Sequence, residues 1–244
     1  MKEKNIRVLN CGRVGSKMIK AAIFDLDGTL LNRDESVKIF IDRQYERLNK
    51  QLGHIPKEKY VKRFIELDKR GYVWKDKVYQ QLVDEFNIVN ITSEELLQDY
   101  ISEFKNNCVP FANLTQMLEE LKSSNILLGM ITNGYGQFQM DNIKALGIEK
   151  YFDVILVSEW EGIKKPDPQI FKRALEQLNV SPNQSLFVGD HPDNDVKAAQ
   201  NVGIKGIWKK DFQWNNVEAD FIVDDLAELS LIIENLNKQF IESY

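Results

Sequence analysis

Residues 21–30 read Ala21-Ala22-Ile23-Phe24-Asp25-Leu26-Asp27-Gly28-Thr29-Leu30, and the fold turns on this stretch. Ala21–Phe24 is apolar without alternation, which marks a short strand buried on both faces. It ends abruptly in two acids, a glycine and a hydroxyl. A strand that stops in this way delivers polar groups to one edge of a sheet, and in open parallel sheets ligands bind beyond that edge.

The next residues change rhythm. Val37, Phe40, Ile41, Tyr45, Leu48 and Leu52 recur at helical spacing. Pro56 opens a second helical stretch, Val78, Leu82 and Phe86 mark a third, and Thr92 with Glu95 forms a capping-box pattern before a fourth. Residues 33–108 therefore predict an all-helical insert. After Pro110 the pattern alternates: helix 113–124, strand 126–131, helix 137–146 stopped by Gly147, strand 154–157, helix 168–178, strand 186–188, helix 193–201, strand 206–208, strand 221–223 and helix 226–236. Such alternation predicts an α/β fold, a doubly wound parallel sheet covered on both faces, interrupted after its first strand by the helical insert. The expected division is an extension over 1–17 without periodicity, a core of 18–32 plus 109–244, and an insert of 33–108.

Composition narrows the function. The chain has 244 residues, 43% hydrophobic and 28% charged, with a formal net charge of −5. These values fit a globular enzyme-sized protein and argue against disorder. The acidic balance disfavours a nucleic acid polymer as partner, since phosphate backbones want a basic face. No apolar run approaches the roughly 20 residues that a membrane helix needs. Cys11 and Cys108 are the two cysteines, without metal-site spacing, which fits a reducing compartment. The basic start, six Lys/Arg in the first 20 residues, meets acids rather than a long apolar run, so a cytoplasmic location is expected. Gly12 and Gly15 lack the preceding strand that a phosphate loop requires.

The remaining strand ends are polar as well. Thr132-Asn133-Gly134 ends the second and Gly189-Asp190 the fourth, with Asp193 and Asp195 following, and Lys164-Lys165-Pro166-Asp167-Pro168 lies between. Brought to one edge, Asp25, Asp27, Asp190 and Asp195 would repel one another without a hard cation, and an oxygen donor set that leaves room for water suits magnesium. Such an ion would meet a phosphate oxygen. A carboxylate can attack phosphorus, and a second acid can protonate the leaving oxygen and later deprotonate water. Thr132 can hold phosphate oxygens, and Lys165 can neutralise charge.

These four segments, in this order, resemble the motifs of the haloacid dehalogenase superfamily of aspartate-nucleophile phosphatases, over residues 19–240. The resemblance implies Asp25 as nucleophile and magnesium ligand, and Asp27 as general acid/base with its backbone carbonyl on the metal. It implies Thr132 and Asn133 as phosphate-binding, Lys165 as the motif lysine, Asp190 as a metal ligand and Asp195 as the acid supporting the metal through water. Lys165, rather than Lys164, matches because it precedes Pro166. The insert matches the helical cap of this family. His191 departs from the small polar residue expected beside Asp190.

The expectation is thus a magnesium-dependent phosphatase, monomeric or dimeric, acting on a small-molecule phosphate ester such as a nucleotide, phosphoglycolate or a sugar phosphate. A phosphomutase or phosphotransferase shares every motif. A 2-haloacid dehalogenase shares the nucleophile but needs neither Asp27 nor a metal. A non-catalytic binding protein would not require the intact acids. Within the insert, residues 57–77 carry eight basic and four acidic groups, so Tyr72, Trp74 and Lys75 are expected to read the rest of the substrate.

Overall fold

The computed structural model describes residues 18–242; the extension over 1–17 and Cys11 lie outside the described residues. Six strands, β1 (Ala21–Phe24), β2 (Leu127–Thr132), β3 (Val154–Val157), β4 (Ser185–Gly189), β5 (Lys205–Lys209) and β6 (Phe221–Val223), form one sheet in the order β3-β2-β1-β4-β5-β6. Every neighbouring pair is parallel. The strand order reverses between β1 and β4, the crevice at which doubly wound sheets hold their ligands. The expected α/β architecture is therefore the observed one. β2 runs one residue further than its apolar run and takes Thr132 into the strand.

Alternation across the sheet feeds two cores. Ala21 and Ile23 of β1 share one with Ile131, Leu156 and Phe187, covered by Ile170, Phe171, Ala174, Leu175 and Leu178 of the helix Pro168–Leu178. The Phe171 and Phe187 rings meet edge-on at 5.1 Å. Ala22 and Phe24 point to the opposite face, where Phe24 meets Phe152. The helix Leu114–Ser123 packs on β2 and on the final helix Glu228–Glu242. That last helix extends beyond its expected end. The helix expected from Asp193 instead begins as a wide π-type turn, Pro192–Lys197, before the short helix Ala198–Asn201.

Asn32–Val109 is a second compact unit. Its longer helices are Arg33–Arg47, Lys57–Asp68, Lys75–Phe86 and Ser93–Glu103. Asn32 caps the first, and the Thr92–Glu95 capping box closes on the fourth. Phe40, Tyr100 and Phe104 form its aromatic centre, with ring centroids 5.0–5.9 Å apart. In the sheet unit, the strands leaving for and returning from this insert lie side by side: Leu31 bridges Pro110, and Phe111 N donates to Leu30 O. Among the described residues no helix is long and apolar enough to cross a membrane.

Candidate active site

The carboxyl ends of β1, β2 and β4 meet where the strand order reverses. Asp25, the first residue past β1, is 6% exposed. Its backbone N–H donates to Val188 O of β4 at 2.9 Å, which extends the ladder one step and fixes the side chain. Lys165 Nζ donates to Asp25 Oδ1 at 2.6 Å and to Asp195 Oδ1 at 2.7 Å. The hydroxyl of Thr29 donates to Asp25 Oδ2 at 3.3 Å. Carboxylate oxygens of Asp25, Asp190 and Asp195 all lie within 4.8 Å of one another. Gly28, at φ +85°, has no room for a Cβ because the Asp190 carboxylate stands against it; the left-handed turn and this close approach both call for glycine.

Three carboxylates face one ammonium. Burial first, and then repulsion from Asp195 and Asp27, push Asp25 up to about 7 against the pull of Lys165. Burial and the charges of Asp25 and Asp195 raise Asp190 well above the carboxylate range. Burial opposes the charge of Lys165, but Asp195 and Asp25 outweigh it and hold the ammonium above its ordinary value. Fully ionised, the three acids would carry more negative charge than the lysine balances, which, with burial, is why two of them hold their protons more tightly than usual. Clustered hard oxygen donors with surplus negative charge fit a magnesium ion.

The lysine is held by its backbone. Asn133 Nδ2 donates to Lys165 O at 2.9 Å, and Lys165 N donates to Asn133 Oδ1 at 2.9 Å. The next peptide, Lys165–Pro166, is cis. The side-chain amide of Asn133, expected on phosphate, is thereby paired with the lysine segment. Lys164 is exposed while Lys165 is buried, so Lys165 is the lysine that meets the acids.

Asp27 and Thr132 are joined by a residue that sequence reasoning missed. Gln139, on the helix Gly136–Ala145, donates from Nε2 to Asp27 Oδ2 at 2.6 Å and to Thr132 Oγ1 at 2.6 Å. A sequence signal existed. Gly136, Gln139, Asn142 and Ile143 form the buried face of that helix, so a polar residue lies on an inward stripe.

Around Asp190 the edge is built by aromatics and a histidine. Trp208 Nε1 donates to Asp190 O at 2.8 Å. His191 N donates to Asp195 Oδ2 at 3.0 Å. His191 Nδ1 accepts from the backbone N–H groups of Asp193 and Asn194 and caps the π-type turn. Asp193 sits in the first turn, and the cap falls to His191 because Pro192 occupies the first helical position. His54 is exposed on the helical unit.

Residues 22–209, well over half the chain, match the family described as haloacid dehalogenase-like hydrolase. The chain is 30% identical over 244 residues to a glyceraldehyde 3-phosphate phosphatase of Methanocaldococcus jannaschii, covering 91% of this chain and 100% of that one. It is 28% identical over 232 residues to the glyceraldehyde 3-phosphate phosphatase of Pyrococcus furiosus, covering 91% and 95%. Among solved structures, a phosphatase from Thermococcus onnurineus superposes with a TM-score of 0.63 at 28% identity, covering 88% of this chain and 98% of that one.

Proposed function

The chain belongs to the haloacid dehalogenase-like hydrolases and is a phosphatase of that family, and from this premise we propose that it hydrolyses a small phosphomonoester with magnesium as cofactor and Asp25 as nucleophile. The observation that carries the reading is Lys165 spanning Asp25 and Asp195 at 2.6 and 2.7 Å. With one Asp25 oxygen held by the ammonium, the other is the attacking atom. It forms a bond to phosphorus while the bond from phosphorus to the ester oxygen breaks. Asp27 gives its proton to the departing oxygen. In the second half Asp27 takes a proton from water, whose oxygen bonds to phosphorus as the Asp25–phosphorus bond breaks and its electron pair returns to the carboxylate. Thr132 holds a phosphoryl oxygen, with Asn133 beside it through its backbone and as the anchor of Lys165.

Magnesium would be held by Asp25, Asp190 and the backbone carbonyl of Asp27, with Asp195 supporting it, and would neutralise charge on the phosphoryl group. Asp27 favours this reading over a dehalogenase, which has no leaving oxygen to protonate. The relatives named glyceraldehyde 3-phosphate phosphatase support a short phosphorylated carbon chain over a nucleotide. The helical unit, Asn32–Val109, is assigned the role of reading the non-phosphate part of the substrate, because the sheet's polar cluster already accounts for the phosphoryl chemistry.

The test is a panel of phosphate esters with and without magnesium, counting phosphate released against phosphoryl group transferred to acceptor alcohols. Release that stops with chelator and returns with magnesium is expected. Turnover in metal-free buffer would overturn the cofactor assignment, and transfer without release would make the protein a phosphotransferase or phosphomutase.

A further inference from the structure

We propose that Gln139 is a positioning residue of the reaction: its single amide group fixes the proton-exchanging oxygen of Asp27 and the donor direction of Thr132 together. The proposal rests on the reading of Asp27 as proton donor and acceptor.

Gln139 is 3% exposed, and its Nε2 lies 2.6 Å from Asp27 Oδ2, 2.6 Å from Thr132 Oγ1 and 3.4 Å from Asn133 O. Ionised, the Asp27 carboxylate only accepts hydrogen bonds, and with its proton on Oδ1 its Oδ2 still accepts, so in both states the amide nitrogen faces Oδ2; the flipped amide would set oxygen against oxygen. The orientation is therefore fixed by chemistry as well as by shape. An N–H on Oδ2 leaves Oδ1 as the oxygen that exchanges the proton with the leaving group and with water. The N–H toward Thr132 takes a lone pair of the hydroxyl. The hydroxyl hydrogen is then turned away from Gln139 and is free to donate to a phosphoryl oxygen. One side chain thus aligns groups that stand at the ends of two different strands, β1 and β2.

The backbone makes room for this arrangement. A Cβ at Gly134 would stand 2.8 Å from Gln139 Cγ, so the glycine of the Thr132-Asn133-Gly134 segment clears the path for the glutamine stem. Gln139 neither gives nor takes a proton in either half of the reaction. It acts through Asp27 and Thr132, by keeping them in line with the reacting atoms.

The readout that separates alignment of Asp27 from mere packing is the leaving group. Nitrophenolate departs without protonation, whereas an alkoxide needs the proton of Asp27. The values of kcat/KM for p-nitrophenyl phosphate and for glycerol 2-phosphate report formation of the aspartyl-phosphate. They are compared for wild type, Gln139→Leu, Gln139→Met and Asp27→Asn, each with magnesium. In the Gln139 variants kcat/KM on glycerol 2-phosphate should fall about tenfold more than on p-nitrophenyl phosphate, and Asp27→Asn should show the same preference more strongly. Gln139→Met keeps an unbranched stem, so one folded variant is retained if the leucine is not accommodated; circular dichroism and thermal unfolding verify this. Equal losses on the two substrates in Gln139 variants, with the preference still present in Asp27→Asn, overturn the proposal alone. Absence of the preference in Asp27→Asn overturns the role of Asp27, and the proposal with it.

Discussion

Two buried lysines, each beside an aspartate, are used in opposite ways. In the sheet unit Lys165, 2% exposed, faces Asp25 and Asp195, with Asp190 close by. In the helical unit Lys75, 1% exposed, pairs with Asp68, which also accepts from Arg33 at 2.9 and 3.1 Å and from Gly71 N at 3.0 Å. The first cluster has a surplus of carboxylates, and two of them are pushed up in pKa. The second has two cations on one carboxylate, and its lysine ammonium lies 5.1 Å from the Tyr100 ring and 5.7 Å from that of Trp74. Aromatic faces help to hold such excess positive charge. A surplus of negative charge at a sheet crevice asks for a cation and a substrate. The ring-backed cluster of the helical unit ties Arg33, at the start of one helix, to Asp68 at the end of a second and Lys75 at the start of a third.

The sharpest break between the two clusters is kinetic. Asp25→Asn keeps the shape of the site and removes the nucleophile. Turnover should fall at least about a thousandfold, with no covalent phosphoryl capture, while thermal unfolding stays near wild type. Substantial hydrolysis by the pure variant would end the assignment of Asp25.

Asp68→Asn should do the reverse. It leaves Lys75 and Arg33 without their shared counter-charge in a buried setting, where removing one partner costs about 3–5 kcal/mol. Denaturant unfolding should show this loss whether or not magnesium is present. A stability equal to wild type would mean that the cluster does not hold the helical unit.

How much of this was legible in the sequence follows the same division. Asp25, Asp27, Asp190, Thr132 and Lys165 stand where an apolar run breaks or where proline marks a loop, and it is the resemblance of the four segments to a known family that singles them out together with Asp195. The parallel, doubly wound sheet follows from the strand–helix alternation, whereas its strand order does not. What escaped are side chains whose partners lie far along the chain. Asn133 pairs with the backbone of Lys165, and Gln139 with Asp27 across 112 residues. Nothing local in a sequence encodes such a pair. Lys75 is different, since its burial was readable. Lys75, Val78, Tyr79 and Leu82 are the buried residues of the helix Lys75–Phe86, the i, i+3, i+4, i+7 stripe that faces a core. The same stripe carries the Lys75 ammonium to Asp68, and a part for Lys75 in reading substrate is left to kinetic tests of the helical unit.

Asp190→Asn sharpens the comparison from the other side. It relieves repulsion that burial has concentrated, so the metal-free protein should unfold at a temperature close to wild type. The stabilisation by magnesium should be lost: a ligand at a hundredfold excess over its Kd contributes about 2.7 kcal/mol, and the variant should show little of it. An undiminished magnesium-induced rise in Tm would remove Asp190 from the metal site.

The smallest effect is expected at Tyr72, and it tests the part of the helical unit in substrate choice. With Lys75 buried against Asp68, the stretch around Gly71 retains Tyr72, 63% exposed, as its exposed aromatic ring. Surface substitutions of this kind usually change stability by within about 0.5 kcal/mol, so Tyr72→Ala should unfold like wild type. If the helical unit reads the non-phosphate part of the substrate, loss of one ring contact should shift the ratio of kcat/KM between a short phosphorylated carbon chain and a ring-bearing ester about three- to tenfold, the discrimination that one modest apolar contact gives. Lys75→Met, by contrast, should lower stability, because it removes a cation buried against Asp68. If Tyr72→Ala also scales every ester equally, the ring does not choose the substrate, and the choice passes to side chains at the sheet crevice such as Trp208 and His191.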